Sequence, residues 1–222
     1  MRGVQEACLA VETLTAAQAS VLLDLFERVA REQNWQPGEL LRAYGGHSVY
    51  FALMMGDQVC GGLHLVLGGN EVALPCLSVW PELELGGRAD VADIALLALE
   101  PSCRGRQALF WPLCVEMWRC CRSRGIVQLW AEVTPANLRR YRRLGWPLHV
   151  AGPLRLHWNE LCYPCCMNVQ GVADAIAAKA LTSTRYRHIL EQAFRTEEAP
   201  QVFPLQASMP QVSVLTAEGS PA

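Results

Sequence analysis

Two carboxylates stand inside apolar runs of this 222-residue chain, Asp93 in "VADIALLALE" and Glu132 in "IVQLWAEV". A free carboxylate titrates near about 4 and is a poor base for an ammonium ion, but burial raises it. A strand position allows that burial, so both are candidates to take a proton from an amine. Each has a plainer reading as well: Asp93 as a strand-edge partner of Arg88, Glu132 as an outward strand residue. Further along, "RGRQA" (Arg104, Gly105, Arg106, Gln107, Ala108) precedes a helical pattern. Unpaired N–H groups at a helix start attract phosphate, and guanidinium groups reinforce them; the alternative is a solvated, arginine-bearing loop. In "NLRRYRRLGWPL", Tyr141 shares an i, i+3, i+6 stripe with Leu138 and Leu144, and Arg139, Arg140, Arg142 and Arg143 take the other faces.

Ten cysteines are many for this length. Cys162, Cys165 and Cys166 in "CYPCC" contain a C-x-x-C core, but no second such pair or Cys/His cluster follows. No metal is therefore expected, and the thiols are read as reduced, mostly small buried hydrophobes. Glu6 and Glu12 interrupt the N-terminus, so no secretory leader is expected. No apolar run approaches the roughly 18 residues of a membrane span. A cytoplasmic protein is the expectation. Net charge is −2, which argues against a nucleic-acid partner.

The elements that must position these residues follow from periodicity. A helix is predicted over Thr15 to Trp35, from the spacing of Val21, Leu22, Leu25, Phe26 and Val29. Pro37-Gly38 breaks it, and a short helix over Glu39 to Ala43 follows. "SVYFALMM" and "QVCGGLHLVL" form a hairpin about Gly56-Asp57. "EVALPCL" continues the strand-rich block. "VADIALLALE" is apolar enough for a strand covered on both faces. A helix spans Gln107 to Cys121, with Pro112 tolerable if the regular turns begin near it. "IVQLWAEV" is a strand, and a helix from about Pro135 ends at Gly145. Strands "LHVAGP" and "ELCYPCCMNV" and a helical region over Val172 to Phe194 complete the fold. Residues 1–195 read as one domain and 196–222 as a flexible tail. The class is α/β (α+β), a mixed sheet with a right-handed β-α-β crossover.

From Val91 to Trp146 the chain resembles the core of the GNAT acyltransferase superfamily: a buried strand ending "LALEP", an "RGR" turn, a helix, "LWAEV", and a helix ending "YRRLGW". "GGLHLVLG", "WPEL" and "LGWPLHVAGP" resemble one branch, the acyl-homoserine-lactone synthases and N-acyl amino acid synthases. The resemblance covers roughly residues 20 to 170. It implies a mostly antiparallel central sheet flanked by helices, with one splayed parallel strand pair. A pantetheine arm would lie in that gap against Leu97, Ala98 and Leu99. Tyr141 would protonate the departing thiolate, Asp93 and Glu132 would serve as base, and Trp35 and His64 would face substrate. The implied activity is N-acyl transfer, with a fatty acyl group passing from acyl-CoA or an acyl-carrier protein to an amino acid-like amine. Lactone (autoinducer) synthesis and an inactive acyl-thioester-binding module are the alternatives. Two arginines of the lactone synthases are replaced here by His64 and Leu96. Both late glycines of the phosphate turn are absent, which fits the single phosphate of acyl-phosphopantetheine. Arg104, Arg106, Arg119, Arg122 and Arg124 would then make a face for an acidic carrier protein.

Overall fold

The computed structural model describes residues 9–14, 18–36, 44–105 and 107–194. An eight-stranded mixed sheet runs through it: β1 (Leu9–Leu14), β2 (Ser48–Met55), β3 (Gln58–Leu67), β4 (Val91–Leu99), β5 (Gln128–Val133), β6 (His149–Val150), β7 (Arg155–His157) and β8 (Glu160–Asn168). The order is β1-β2-β3-β4-β5-β8-β6, with β7 paired to β8. Among the described residues, only β4 and β5 run parallel. Five α-helices stand among the described residues: α1 (Ser20–Glu32), α2 (Gln107–Ser123), α3 (Pro135–Leu144), α4 (Val169–Ala180) and α5 (Thr184–Phe194). This is the GNAT-like arrangement that the motifs imply.

The parallel pair is short. Val91, Ala92 and Asp93 pair with Gln128, Leu129 and Trp130, and there the ladder stops. Beyond it β4 runs on to Leu99 and β5 to Val133 with no ladder between them. A β-bulge coincides with the parting. His64 faces Leu96 and Leu65 faces Ile94, so Ala95 is the extra residue on β4. A bulge sharpens local twist and bends its strand, which turns β4 away from β5 where the gap opens.

Two layers cover the sheet. α2, α4 and α5 bury Leu113, Met117, Trp118, Ile176 and Ile189 on one face. α1 covers part of the other through Leu22, Leu25 and Phe26. Gly62 makes that approach possible: a Cβ there would fall 2.0 Å from Leu22 Cδ1. A loop containing a 3-10 turn at Pro75–Ser78 buries Leu74, Cys76 and Trp80 against Val91 and Ala95 of β4 and Trp130 of β5.

Several boundaries differ from expectation. α1 is shorter than predicted, because Asn34 adopts a left-handed φ of 57° and folds Trp35 N–H back onto the Ala30 carbonyl at 2.8 Å. "EVALPCL" forms no ladder strand; Pro75 starts a 3-10 turn instead. Pro112 lies inside α2, which begins five residues earlier. The region Val172 to Phe194 is two helices, α4 and α5. β8 is the expected strand "ELCYPCCMNV", whereas β1 and β7 have no counterpart in the periodicity reading. The predicted break at Pro37-Gly38, the short helix at Glu39 to Ala43 and the tail lie outside the described residues.

Candidate active site

The gap between β4 and β5 forms an inner cleft of about 110 Å³, bounded by Ile94–Leu97 on one side and Ala131–Val133 on the other. α3 closes one wall. Thr134 caps its start by accepting from Asn137 N–H at 3.3 Å, and Gly145 (φ 98°) ends it. Leu138, Tyr141 and Leu144 face inward while the four arginines stay exposed. Arg142 donates twice to the Leu148 carbonyl, at 3.1 and 2.8 Å, and so ties the helix to the following segment. Tyr141 stacks on Phe110 (6.0 Å) and on Trp146 (4.9 Å), which also stack on each other at 5.6 Å. Burial pushes its hydroxyl up to about 12, so it stays protonated and can act as a donor.

The roof of the cleft comes from the β7–β8 hairpin. Its two turn residues, Trp158 (φ 48°) and Asn159 (φ 70°), both adopt left-handed backbone, as a tight two-residue hairpin requires. Asn159 Nδ2 donates to the Asn34 carbonyl at 3.1 Å. That contact fastens the hairpin tip to the end of α1 and brings Trp158 to 6.1 Å from Trp35. Glu160 follows at the lip. An outer cleft of about 390 Å³ adjoins the inner one, and the two share Trp35, Leu97, Asn137, Tyr141 and Glu160.

The two carboxylates meet at the floor. Asp93 is 0% exposed and accepts from the Cys76 backbone N–H at 2.9 Å. The Cys76 thiol and the Glu132 carboxyl lie beside it. Donor atoms of Cys76, Asp93 and Glu132 all lie within 4.8 Å of one another. Glu132 lines the inner cleft, whereas Asp93 lies behind it. Glu132 Oε1 and Asp93 Oδ1 are buried and have no hydrogen-bond partner among the described residues. Burial lifts both groups, Asp93 to about 6 and Glu132 well above its ordinary value; the Asp93 charge adds to the rise of Glu132. Two carboxylates this close and this dry share one proton. The Cys76 N–H favours the charge on Asp93, which leaves the proton on Glu132.

Leu97, Ala98, Leu99, Arg104 and Gly105 line the outer cleft, as does Arg140. Arg104 is engaged there: it grips both oxygens of Glu32 at 2.6 and 2.8 Å and donates to the Leu99 carbonyl at 3.1 Å. Gln107 and Ala108 open α2; Arg106 lies outside the described residues. Arg119 and Arg122 sit at the far end of α2 from this turn and donate to the Gln192 and Ala193 carbonyls of α5. Trp35 lines both clefts, whereas His64 lines neither. The His64 ring is buried, stacked on Tyr50 at 4.4 Å, and 3.0 Å from Ser48 Oγ. Arg88 pairs with Asp90, not with Asp93. Cys162 and Cys165 occupy opposite faces of β8, because a three-residue step along a strand reverses the side chain.

Asn137, His157, Trp158 and Glu160 escaped the sequence reading. The hairpin had a signal: "RLH" and "ELC" flank Trp-Asn, and asparagine tolerates left-handed backbone.

No protein-family model matches this sequence, and no curated protein matches it. Solved structures share its fold. FeeM, an N-acyl amino acid synthase from uncultured soil microbes, aligns with a TM-score of 0.64 at 14% identity, over 79% of this chain and 99% of its own. BjaI, a CoA-dependent acyl-homoserine lactone synthase, aligns with a TM-score of 0.60 at 19% identity, over 79% and 92%. LasI, an acyl-homoserine lactone synthase, aligns with a TM-score of 0.59 at 13% identity, over 73% and 91%.

Proposed function

We propose that the protein is an N-acyltransferase that moves a fatty acyl group from a thioester, on coenzyme A or a carrier protein, to a primary amine. One observation carries this reading: two adjoining carboxylates at the floor of a strand gap, Glu132 lining it and the fully buried Asp93 behind it. The thioester arm lies along Leu97, Ala98 and Leu99, whose peptide groups have no partner strand on the β5 side. Backbone N–H groups there polarise the thioester carbonyl.

The acceptor enters as an ammonium ion. Its proton passes to Glu132 Oε1 while the proton already on Glu132 moves to Asp93. The freed amine attacks the thioester carbon, and the carbon–sulfur bond breaks. Tyr141 protonates the leaving thiolate and regains a proton from the attacking nitrogen. Asp93 acts through Glu132 and positions the shared proton.

Thiol release is the direct test. Octanoyl-CoA and octanoyl-carrier protein are offered with a panel of primary amines, and amide formation is followed by mass spectrometry. Amine-dependent release supports the reading, and release no faster than hydrolysis overturns it. The pair also fixes a pH dependence. Below about 6 both carboxyls are protonated and cannot accept. The rate is therefore lost as pH falls through about 6 and is full above it; a profile flat from pH 5 to 7 would contradict the assignment. Tyr141→Phe keeps the stack and removes the hydroxyl. A thiol titrates near about 8.5, so its thiolate needs only modest help to leave. The expected loss in kcat is on the order of tenfold, at the low end for general acid catalysis.

A further inference from the structure

The inner cleft carries an uneven charge. Glu132 and Glu160 both line it, and no arginine or lysine does among the described residues. His157, the remaining ionisable base in the wall, is held neutral by burial, which draws it down to about 4. Neither Glu132 nor Glu160 has a salt bridge to a described residue. Trp35, Trp158, His157, Tyr141 and Trp146 supply aromatic rings to the wall, and aliphatic side chains of β4 and β5 fill in between them. The cations Arg104 and Arg140 belong to the outer cleft.

From this, and resting on the acyltransfer reading above, we infer that the acceptor is a primary amine without a carboxylate, an arylalkyl or alkyl amine carried as its ammonium ion. The ammonium group is attracted by the Glu160 carboxylate, by the single negative charge of the Asp93–Glu132 pair, and by the faces of Trp35 and Trp158. An apolar body fills the aromatic wall. An amino acid brings the same ammonium together with a carboxylate. That carboxylate would enter a small, partly dry cleft beside Glu132 and Glu160, with no guanidinium among the described residues that line it. This differs from the amino acid-like acceptor implied by the sequence resemblance.

The test uses matched acceptors and the full chain. Phenethylamine, phenylalanine and phenylalanine methyl ester are titrated calorimetrically without donor, and so are tryptamine and tryptophan. The amines and the methyl ester are expected to bind at least tenfold more tightly than the amino acids. Glu160→Gln should shrink that margin, because it removes one negative charge and keeps the shape. Equal or tighter binding of the amino acids overturns the inference, and so does an unchanged margin in Glu160→Gln. The same acceptors are then run with octanoyl-CoA. Turnover of phenethylamine above phenylalanine supports the inference, and the reverse order overturns it. A binding preference without turnover upholds the acceptor class and strikes the acyltransferase reading alone.

Discussion

Glu132→Gln is expected to lower kcat by about 10²–10⁴-fold, the range for losing a positioned general base. The substituted amide would fill the same space at the cleft floor and could still donate to Asp93, but it could not pass a proton on. Thermal stability should change little, because the variant removes a proton-sharing contact and leaves the hydrogen bond from Cys76 N–H to Asp93 in place. Asp93→Asn completes the pair of measurements. Asparagine can still accept from Cys76 N–H, yet it cannot hold the second proton. Its signature is loss of the titration near 6 from the pH profile together with a lower rate. Steady-state thiol release from pH 5 to 8 reads both. Full activity in Glu132→Gln would remove the carboxylate pair from the mechanism.

Trp118→Ala carries the largest expected cost in stability, about 3–5 kcal/mol for deleting a fully buried tryptophan. Trp118 is 0% exposed. Its ring packs against Trp111 (6.1 Å), Trp146 (5.7 Å) and Phe194 (5.5 Å), and so joins α2 to α5. For a chain of this size the melting temperature should fall by roughly 6–20 °C. The loss should also reach the site, because Trp146 rests on Trp118 and Tyr141 stacks on Trp146 at 4.9 Å. Trp118→Phe should recover much of the stability. The Trp118 Nε1 group is buried without a partner, so phenylalanine sacrifices area and no hydrogen bond. Calorimetric melts of the two variants decide the matter; a drop below about 1 kcal/mol in Trp118→Ala would show that the cluster relaxes freely, contrary to close core packing.

Local signals in the chain carried most of the strands and helices. The Gly56-Asp57 turn marked β2 and β3, alternation marked β5, the apolar run marked β4, and Pro135 with Gly145 bounded α3. These features are short-range: a period of two or 3.6 residues, a cap, a turn glycine. Inward placement of Leu138, Tyr141 and Leu144 followed from the same periodicity. Where local rules conflict the reading slipped, as at Pro112, which the packing of α2 keeps inside a helix.

The candidate site drew on contacts between residues far apart in the chain. Sequence alone marked Asp93 and Glu132 as carboxylates in strands and Trp35 as a cleft candidate. It held no sign that Cys76, from a loop, would donate to Asp93. Nor did it show that Glu132 would be the carboxylate at the cleft while Asp93 stood behind it. The hairpin roof depends on Asn159 reaching Asn34 across 125 residues. Motif position puts His64 near substrate, yet in the folded chain its ring stacks on Tyr50. Residue type and period determine which face of an element is apolar. Which face meets which neighbour, and how dry a carboxylate becomes there, depends on the long-range packing that raises both pKa values.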